Sequence, residues 1–144
     1  MKSSRRLSAP HRRTRQDHST ETAEDYVEAV AEIVAKTGTC RVVDLAARFD
    51  VSHVTVTRIV GRLKKEGFLD TEPYRPITLT DRGAKLAAES KRRHEVVYQF
   101  LVAIGVSEKT AAIDAEGIEH HVSPETLQKF RELTSEKQSG SVGE

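Results

Sequence analysis

The stretch "RVVDLAARFDVSHVTVTRIVGRLKKEGFLD", residues 41–70, restricts the fold more than any other part of the chain. It divides into a short helical pattern near Val42 to Phe49, a break at Asp50-Val51, and a longer helical pattern behind Ser52, whose hydroxyl suits a helix N-cap. Two helices joined by so short a turn form a helix-turn-helix. In the second helix Val56, Ile59, Val60 and Leu63 fall at i, i+3, i+4 and i+7, the stripe of a buried face. The opposite arc holds Val54, Arg58, Gly61 and Lys65, flanked by Thr55, Thr57 and Arg62. Small, hydroxyl-bearing and basic side chains suit a DNA major groove: Arg reads guanine, Thr and Val touch the thymine methyl, and further Arg or Lys neutralise phosphate. Ser52, Val54, Thr55, Thr57, Arg58, Arg62 and Lys65 are therefore the candidate DNA contacts.

After Gly67, "FLDT" and "ITLT" alternate as short strands do, around Glu72-Pro73-Tyr74-Arg75-Pro76. Such a hairpin directly behind a helix-turn-helix is the wing of a winged helix. Arg75 at its tip is placed to meet a phosphate or a minor groove. A winged helix kept for protein contacts is the bland alternative, and the basic recognition face argues against it.

The net charge of +1 conceals a segregated chain. Residues 1–16 carry Lys2, Arg5, Arg6, Arg12, Arg13 and Arg15 with no acid, and too few apolar groups to order themselves, so residues 1–21 are expected to be a disordered basic arm. From Thr22 a helix begins, with Tyr26, Val27, Val30, Ile33 and Val34 on one face, Asp25, Glu28 and Glu32 in a stripe on the other, and Gly38 as its stop. Residues 22–80 then form the winged helix-turn-helix DNA-binding domain. Thr80 caps a long helix to about Ile104, Ser107 caps another, and Ser123-Pro124 starts a last one through about Thr134. Residues 81–135 form an all-helical domain, and 136–144 a disordered tail. Three helices of roughly 50 residues make a small core alone, so a second copy is expected to cover them as a homodimer. The fold class is mainly α with a small β-wing.

No apolar run approaches the ~20 residues of a membrane span, so no membrane partner is expected and the cytoplasm is the default location. The lone cysteine, Cys40, has no internal partner for a disulfide and reads as a small packing residue.

The segment "DAEGIEHHVS", residues 114–123, sets Glu116, Glu119 and His120 at i, i+3 and i+4 of a helix, so two carboxylates and an imidazole share a face that can hold a cation. A solvated acidic face with incidental histidines fits this helix, taken alone, equally well. Asp25 and Glu28 form another carboxylate pair, and His94 is an otherwise unexplained histidine among basic neighbours.

"EDYVE" at the start of the first full helix, "RHEVV" at the centre and "DAEGIEHHVS" resemble, in that order around a winged helix, the diphtheria toxin repressor family, and within it the manganese transport regulators. The resemblance runs from Ala23 to Thr134. It implies that Asp25 and Glu28, His94, and Glu116, Glu119 and His120 bind metal, one ion or two per subunit. In the iron-sensing branch softer sulfur-bearing residues stand at the positions of Asp25 and Glu116, so the carboxylates here imply Mn²⁺, with Fe²⁺ as the alternative. Oxygen-rich sites without thiolates suit a hard ion independently. The resemblance further implies a repressor of manganese uptake genes whose metal links the DNA-binding and dimerisation modules, and which reads palindromic double-stranded operator DNA. Relatives commonly place Gly after the wing's Arg, where this chain has Pro76.

Three competing readings can be separated. An iron-responsive regulator of the same family differs only in its ion. A carboxylate-bridged di-metal enzyme wants Glu-x-x-His repeats, and the residue three before His121 is Ile118, so no enzyme is expected. A winged-helix regulator without metal control is distinguished by titrating metal against DNA binding.

Overall fold

The computed structural model describes the backbone of residues 2–142 and the side chains of residues 19–140. In chain order the elements are α1 (Lys2–Thr37), α2 (Val42–Phe49), α3 (His53–Lys65), β1 (Leu69–Asp70), β2 (Thr78–Leu79), α4 (Asp81–Ala103), α5 (Glu108–Ile118) and α6 (Pro124–Val142). They fall into two compact units, Met1–Ala88 and Glu89–Glu144.

The first unit is a winged helix. Its core gathers Tyr26, Val27 and Val30 of α1, Leu45 of α2, Val56, Val60 and Leu63 of α3, Leu69 of β1, and Cys40 and Ile77. Ring stacking of Tyr26 on Phe49, with centroids 4.5 Å apart, closes α1 against α2. The turns are built as their chemistry requires. The Arg41 N–H donates to the Asp44 carboxylate (2.8 Å) at the start of α2. Asp50 takes the left-handed conformation behind α2 (φ 53°), a state that Asp tolerates better than most residues. The Thr55 N–H donates to Ser52 Oγ (3.1 Å), which caps α3 as its sequence anticipates.

The wing pairs antiparallel with Leu69 opposite Leu79 and Asp70 opposite Thr78. A single bridge from Cys40 to Ile77 fastens it to the segment ahead of α2. Lys64 Nζ donates to the Thr71 carbonyl (2.7 Å), and Arg82 lies over the Phe68 ring, 4.4 Å from its centroid. At Gly83 any Cβ would meet the Phe68 carbonyl oxygen at 2.0 Å, so α4 and the wing approach as closely as they do because this residue has no side chain.

The sequence pattern separates the chain at residue 80, but Leu86 and Ala87 of α4 join the first core, and the division falls between Ala88 and Glu89. Both ends of the chain also differ from expectation. Residues 2–21, expected as a disordered arm, continue α1, and α6 runs past Thr134 to Val142 into the expected tail. Low apolar content measures what a segment can bury, whereas prolonging a helix that a buried turn has nucleated needs no apolar face of its own.

The second unit packs α4, α5 and α6 around Val97, Ala115 and Leu127, with Phe100 and Phe130 stacked at 4.0 Å between centroids. Ser107 accepts from the Thr110 N–H (3.4 Å) and Ser123 from the Thr126 N–H (3.2 Å), the two caps that the sequence marks. Gly105, at φ 102°, follows the end of α4. Among the described residues no helix is long and apolar enough to cross a membrane.

Candidate functional site

Two sets of residues carry chemistry, one in each unit. In the first, α3 buries Val56, Val60 and Leu63 and turns its other side outward. Val54 is 79% exposed, and Ser52, Thr57, Arg58 and Lys65 are exposed with it, while Thr55 is half-buried. An aliphatic side chain left so bare on a recognition helix is available to a thymine methyl. Arg58 also approaches Tyr26, and its positive charge works against the burial that raises the Tyr26 phenol above its ordinary value.

Arg62 is placed differently from the other candidates. It is half-buried, its Nη2 donates to the Ser19 carbonyl of α1 (3.3 Å), and its Nε lies 3.6 Å from Glu66. Its side chain holds α1 against α3. On the wing, Arg75 is exposed beside Glu72, 3.6 Å away. The outermost residue is its neighbour Tyr74, 99% exposed and held at φ 67°. Spacing arguments pass over Tyr74. The available signal was an aromatic residue between two turn-forming prolines, where nothing can bury it.

A shallow cavity of about 440 Å³ lies between the wing and the helix-turn-helix, lined by Arg41, Val43, His53, Tyr74 and Arg75 among others. Arg41 and His53 extend the basic, polar surface beyond the residues that helical spacing picked out.

In the second unit, α5 ends at Ile118, and Glu119 is its C-cap. Glu116 lies in the last turn, Glu119 at the boundary, and His120 in the turn beyond. Helical spacing puts the three on one face; in the structure Glu119 keeps helical dihedrals and His120 lies in the turn after α5. The helix stops before the cluster is complete, because the following turn must lead into the capped start of α6. Glu116 is 62% exposed, whereas the side chains of Glu119 and His120 are buried.

His94, reaching across from α4, has its Nδ1 3.3 Å from Glu119 and 3.6 Å from Glu116. Both spacings exceed a well-formed hydrogen bond, and Nδ1 is buried without one. His120 Nε2 lies 3.5 Å from the other Glu119 oxygen. One ligand atom each from His94, Glu116 and Glu119 lies within 4.8 Å of the other two, so the three can share one ion.

Two physical arguments favour a cation here. Carboxylates at a helix C-terminus sit against the negative end of its dipole. Two imidazoles, of His94 and His120, already lie within 3.5 Å of the buried Glu119 carboxylate, so donors of a kind that metals take are gathered around it. Oxygen and imidazole donors without a thiolate fit a hard or borderline divalent ion. Asp25 and Glu28, the remaining candidates, are half-buried one turn apart on α1 in the first unit.

Similarity to known proteins follows the same division. Residues 18–77 match the model of the iron dependent repressor N-terminal DNA binding domain, and residues 80–139 that of the iron dependent repressor metal binding and dimerisation domain. Over 125 residues the chain is 45% identical to the transcriptional regulator MntR of Salmonella typhimurium, covering 87% of this chain and 80% of that one. It is 40% identical over 114 residues to the HTH-type transcriptional regulator MntR of Lysinibacillus sphaericus, covering 79% and 82%.

Among solved structures, the manganese regulator SloR superposes with a TM-score of 0.69 at 23% identity, a level that speaks to fold alone. A manganese-dependent transcriptional repressor in complex with manganese gives 0.69 at 27% identity. Each is matched over 78% of this chain, which spans about half of their length, 53% and 52% respectively.

Proposed function

We propose, from the premise that this chain belongs to the iron-dependent repressor family, that it is a transcriptional repressor activated by Mn²⁺ and controlling manganese uptake genes. The observation that carries the reading is the convergence of His94, Glu116 and Glu119 in the unit that matches the metal-binding domain, on a chain whose other unit bares a basic recognition helix. One similar solved structure, at 27% identity, is a manganese-dependent transcriptional repressor, and the regulators 45% and 40% identical to this chain share one name.

The ligand set we propose is Asp25, Glu28, His94, Glu116, Glu119 and His120. Six donors suffice for one ion or two. The bound ion supplies positive charge. His94 presents Nδ1, Glu119 a buried oxygen, and Glu116 a more exposed one, so Glu116 is the ligand best placed for exchange with solvent. Carboxylates that share an ion repel one another without it, and relief of that repulsion favours one arrangement of the chain over others. In a homodimer reading a palindromic operator, the favoured arrangement must set two recognition helices about 34 Å apart or a multiple of it. Ser52, Val54, Thr55, Thr57, Arg58, Lys65 and Arg75 are the proposed DNA contacts, with Arg62 acting through its hold on α1.

The test is DNA binding followed by fluorescence anisotropy with Mn²⁺, Fe²⁺, Co²⁺, Zn²⁺ and chelator in parallel, on a duplex selected from a random library. Mn²⁺ should raise affinity for the selected duplex at least tenfold over chelator. Equal affinity with chelator would leave a winged-helix regulator without metal control. A response to Fe²⁺ alone would make it the iron-responsive member of the family.

A further inference from the structure

The contact between Arg62 and the Ser19 carbonyl has a consequence for the start of the chain. Ser19 is held against the recognition helix itself, 43 positions away in sequence. Immediately ahead of it come Arg15, Arg13, Arg12, Arg6, Arg5 and Lys2, and the first acid from the N-terminus is Asp17. Six cations on a chain whose net charge is +1 are thus joined through one helix to a residue that contacts the recognition helix. Carried on α1 at about 1.5 Å per residue, residues 2–15 extend roughly 20 Å. That length covers the phosphates of a half turn of duplex or more.

We infer that residues 2–15 form a second nucleic-acid contact, which binds the phosphate backbone of duplex DNA flanking the sequence read by α3. The inference rests on the proposed DNA-binding function and adds a surface to it. The chemistry is that of phosphate neutralisation: five guanidiniums and an ammonium in a run without an acid. The segment therefore contributes affinity and salt dependence, and leaves sequence choice to the recognition helix. An anionic membrane is the less suitable polyanion. Between Lys2 and Arg15 the only large apolar side chain is Leu7, whereas an interfacial helix needs a continuous apolar face to enter lipid.

The experiment compares the full-length protein with a variant in which Arg5, Arg6, Arg12, Arg13 and Arg15 are all replaced by Gln, both with Mn²⁺. Affinity is measured against salt on a mixed-sequence duplex and on a library-selected duplex, each extending well past the bound region. Size-exclusion chromatography and far-UV circular dichroism confirm the fold of the variant.

For each subunit engaged, the slope of log affinity against log salt should fall by about 4 to 5 on both duplexes, at about 0.9 for each phosphate no longer neutralised. The ratio of the two affinities should stay the same. An unchanged slope overturns the inference. So does loss of binding to phosphatidylglycerol vesicles with the DNA slope intact, which assigns the segment to a membrane. Failure of the wild type to prefer the selected duplex in Mn²⁺ would instead sink the repressor reading, and the slopes on mixed-sequence DNA would still report on the arginines.

Discussion

Glu116 and Glu119 stand three positions apart and meet the same imidazole, yet one side chain is largely in solvent and the other wholly buried. Replacing the exposed one therefore changes a donor without opening the core. In Glu116→Cys a hard oxygen gives way to a soft sulfur, and the DNA response should shift from Mn²⁺ toward Fe²⁺ or Co²⁺ while the oligomeric state persists. An Mn²⁺ response matching wild type in an anisotropy titration would remove Glu116 from the ligand set. Cys40 makes the opposite case. It is fully buried, and burial together with the nearby Asp44 carboxylate pushes its thiol up to about 11. Since the folded thiol ionises later than the unfolded one, its contribution to stability is complete below the ordinary thiol value of about 8.5 and is lost as pH rises toward 11. A thiol reagent at pH 8 should leave native Cys40 unmodified and label it only after denaturant is added; rapid native labelling would contradict the packing role. That role was legible from one lone cysteine, because a small apolar residue between two elements needs no partner. The burial difference between Glu116 and Glu119 was not, since it depends on where α5 ends.

At the scale of elements, α3 and α5 show what periodicity reveals and what it misses. The stripe of Val56, Val60 and Leu63 and the caps at Ser52, Ser107 and Ser123 stood in the sequence as they stand in the structure, because each is a local choice made within one turn of chain. The two-residue strands of the wing were legible as a hairpin from its prolines, though shorter than their alternation suggested. Arg62 falls in the outward arc by its angle, but angle alone cannot show that α1 passes close enough to claim its guanidinium. The continuation of α1 to Lys2 and of α6 to Val142 was likewise hidden, since low apolar content measures what a segment can bury and not whether it can prolong a helix. The exposed arc of α3 yields a graded prediction. Arg58→Ala, near the start of the helix where base edges are reached, should weaken binding to a selected duplex by about 1–3 kcal/mol and to mixed-sequence DNA far less. Lys65→Ala, at the far end, should weaken both alike. Identical behaviour of the two variants on both duplexes would show that the face is assigned wrongly.

The whole molecule must reconcile a small second core with the apolar surface that this unit leaves uncovered. Ile104, Ile113, Ile118 and Leu133 all remain exposed there, with Ile113 on α5 at 65%. In a homodimer such residues are the natural cover for one another, as the match to a dimerisation domain supports. Ile113→Glu should shift the protein toward monomer in sedimentation or light scattering and reduce DNA affinity, while circular dichroism stays near wild type; a fully dimeric variant would place the interface elsewhere. The carboxylates gathered at the end of α5 bear on how long the protein lasts as well as on what it binds. Any ion held there stabilises the folded form in proportion to its supply, by about 2.7 kcal/mol when free metal exceeds the dissociation constant a hundredfold. Trypsin should therefore cleave the chain faster in chelator than in Mn²⁺, at Lys109 and Arg131 among other sites, and equal rates would argue against an ion at this helix end. A cell short of metal would then be clearing its repressor as well as silencing it, so scarcity is registered in the amount of protein as well as in its activity.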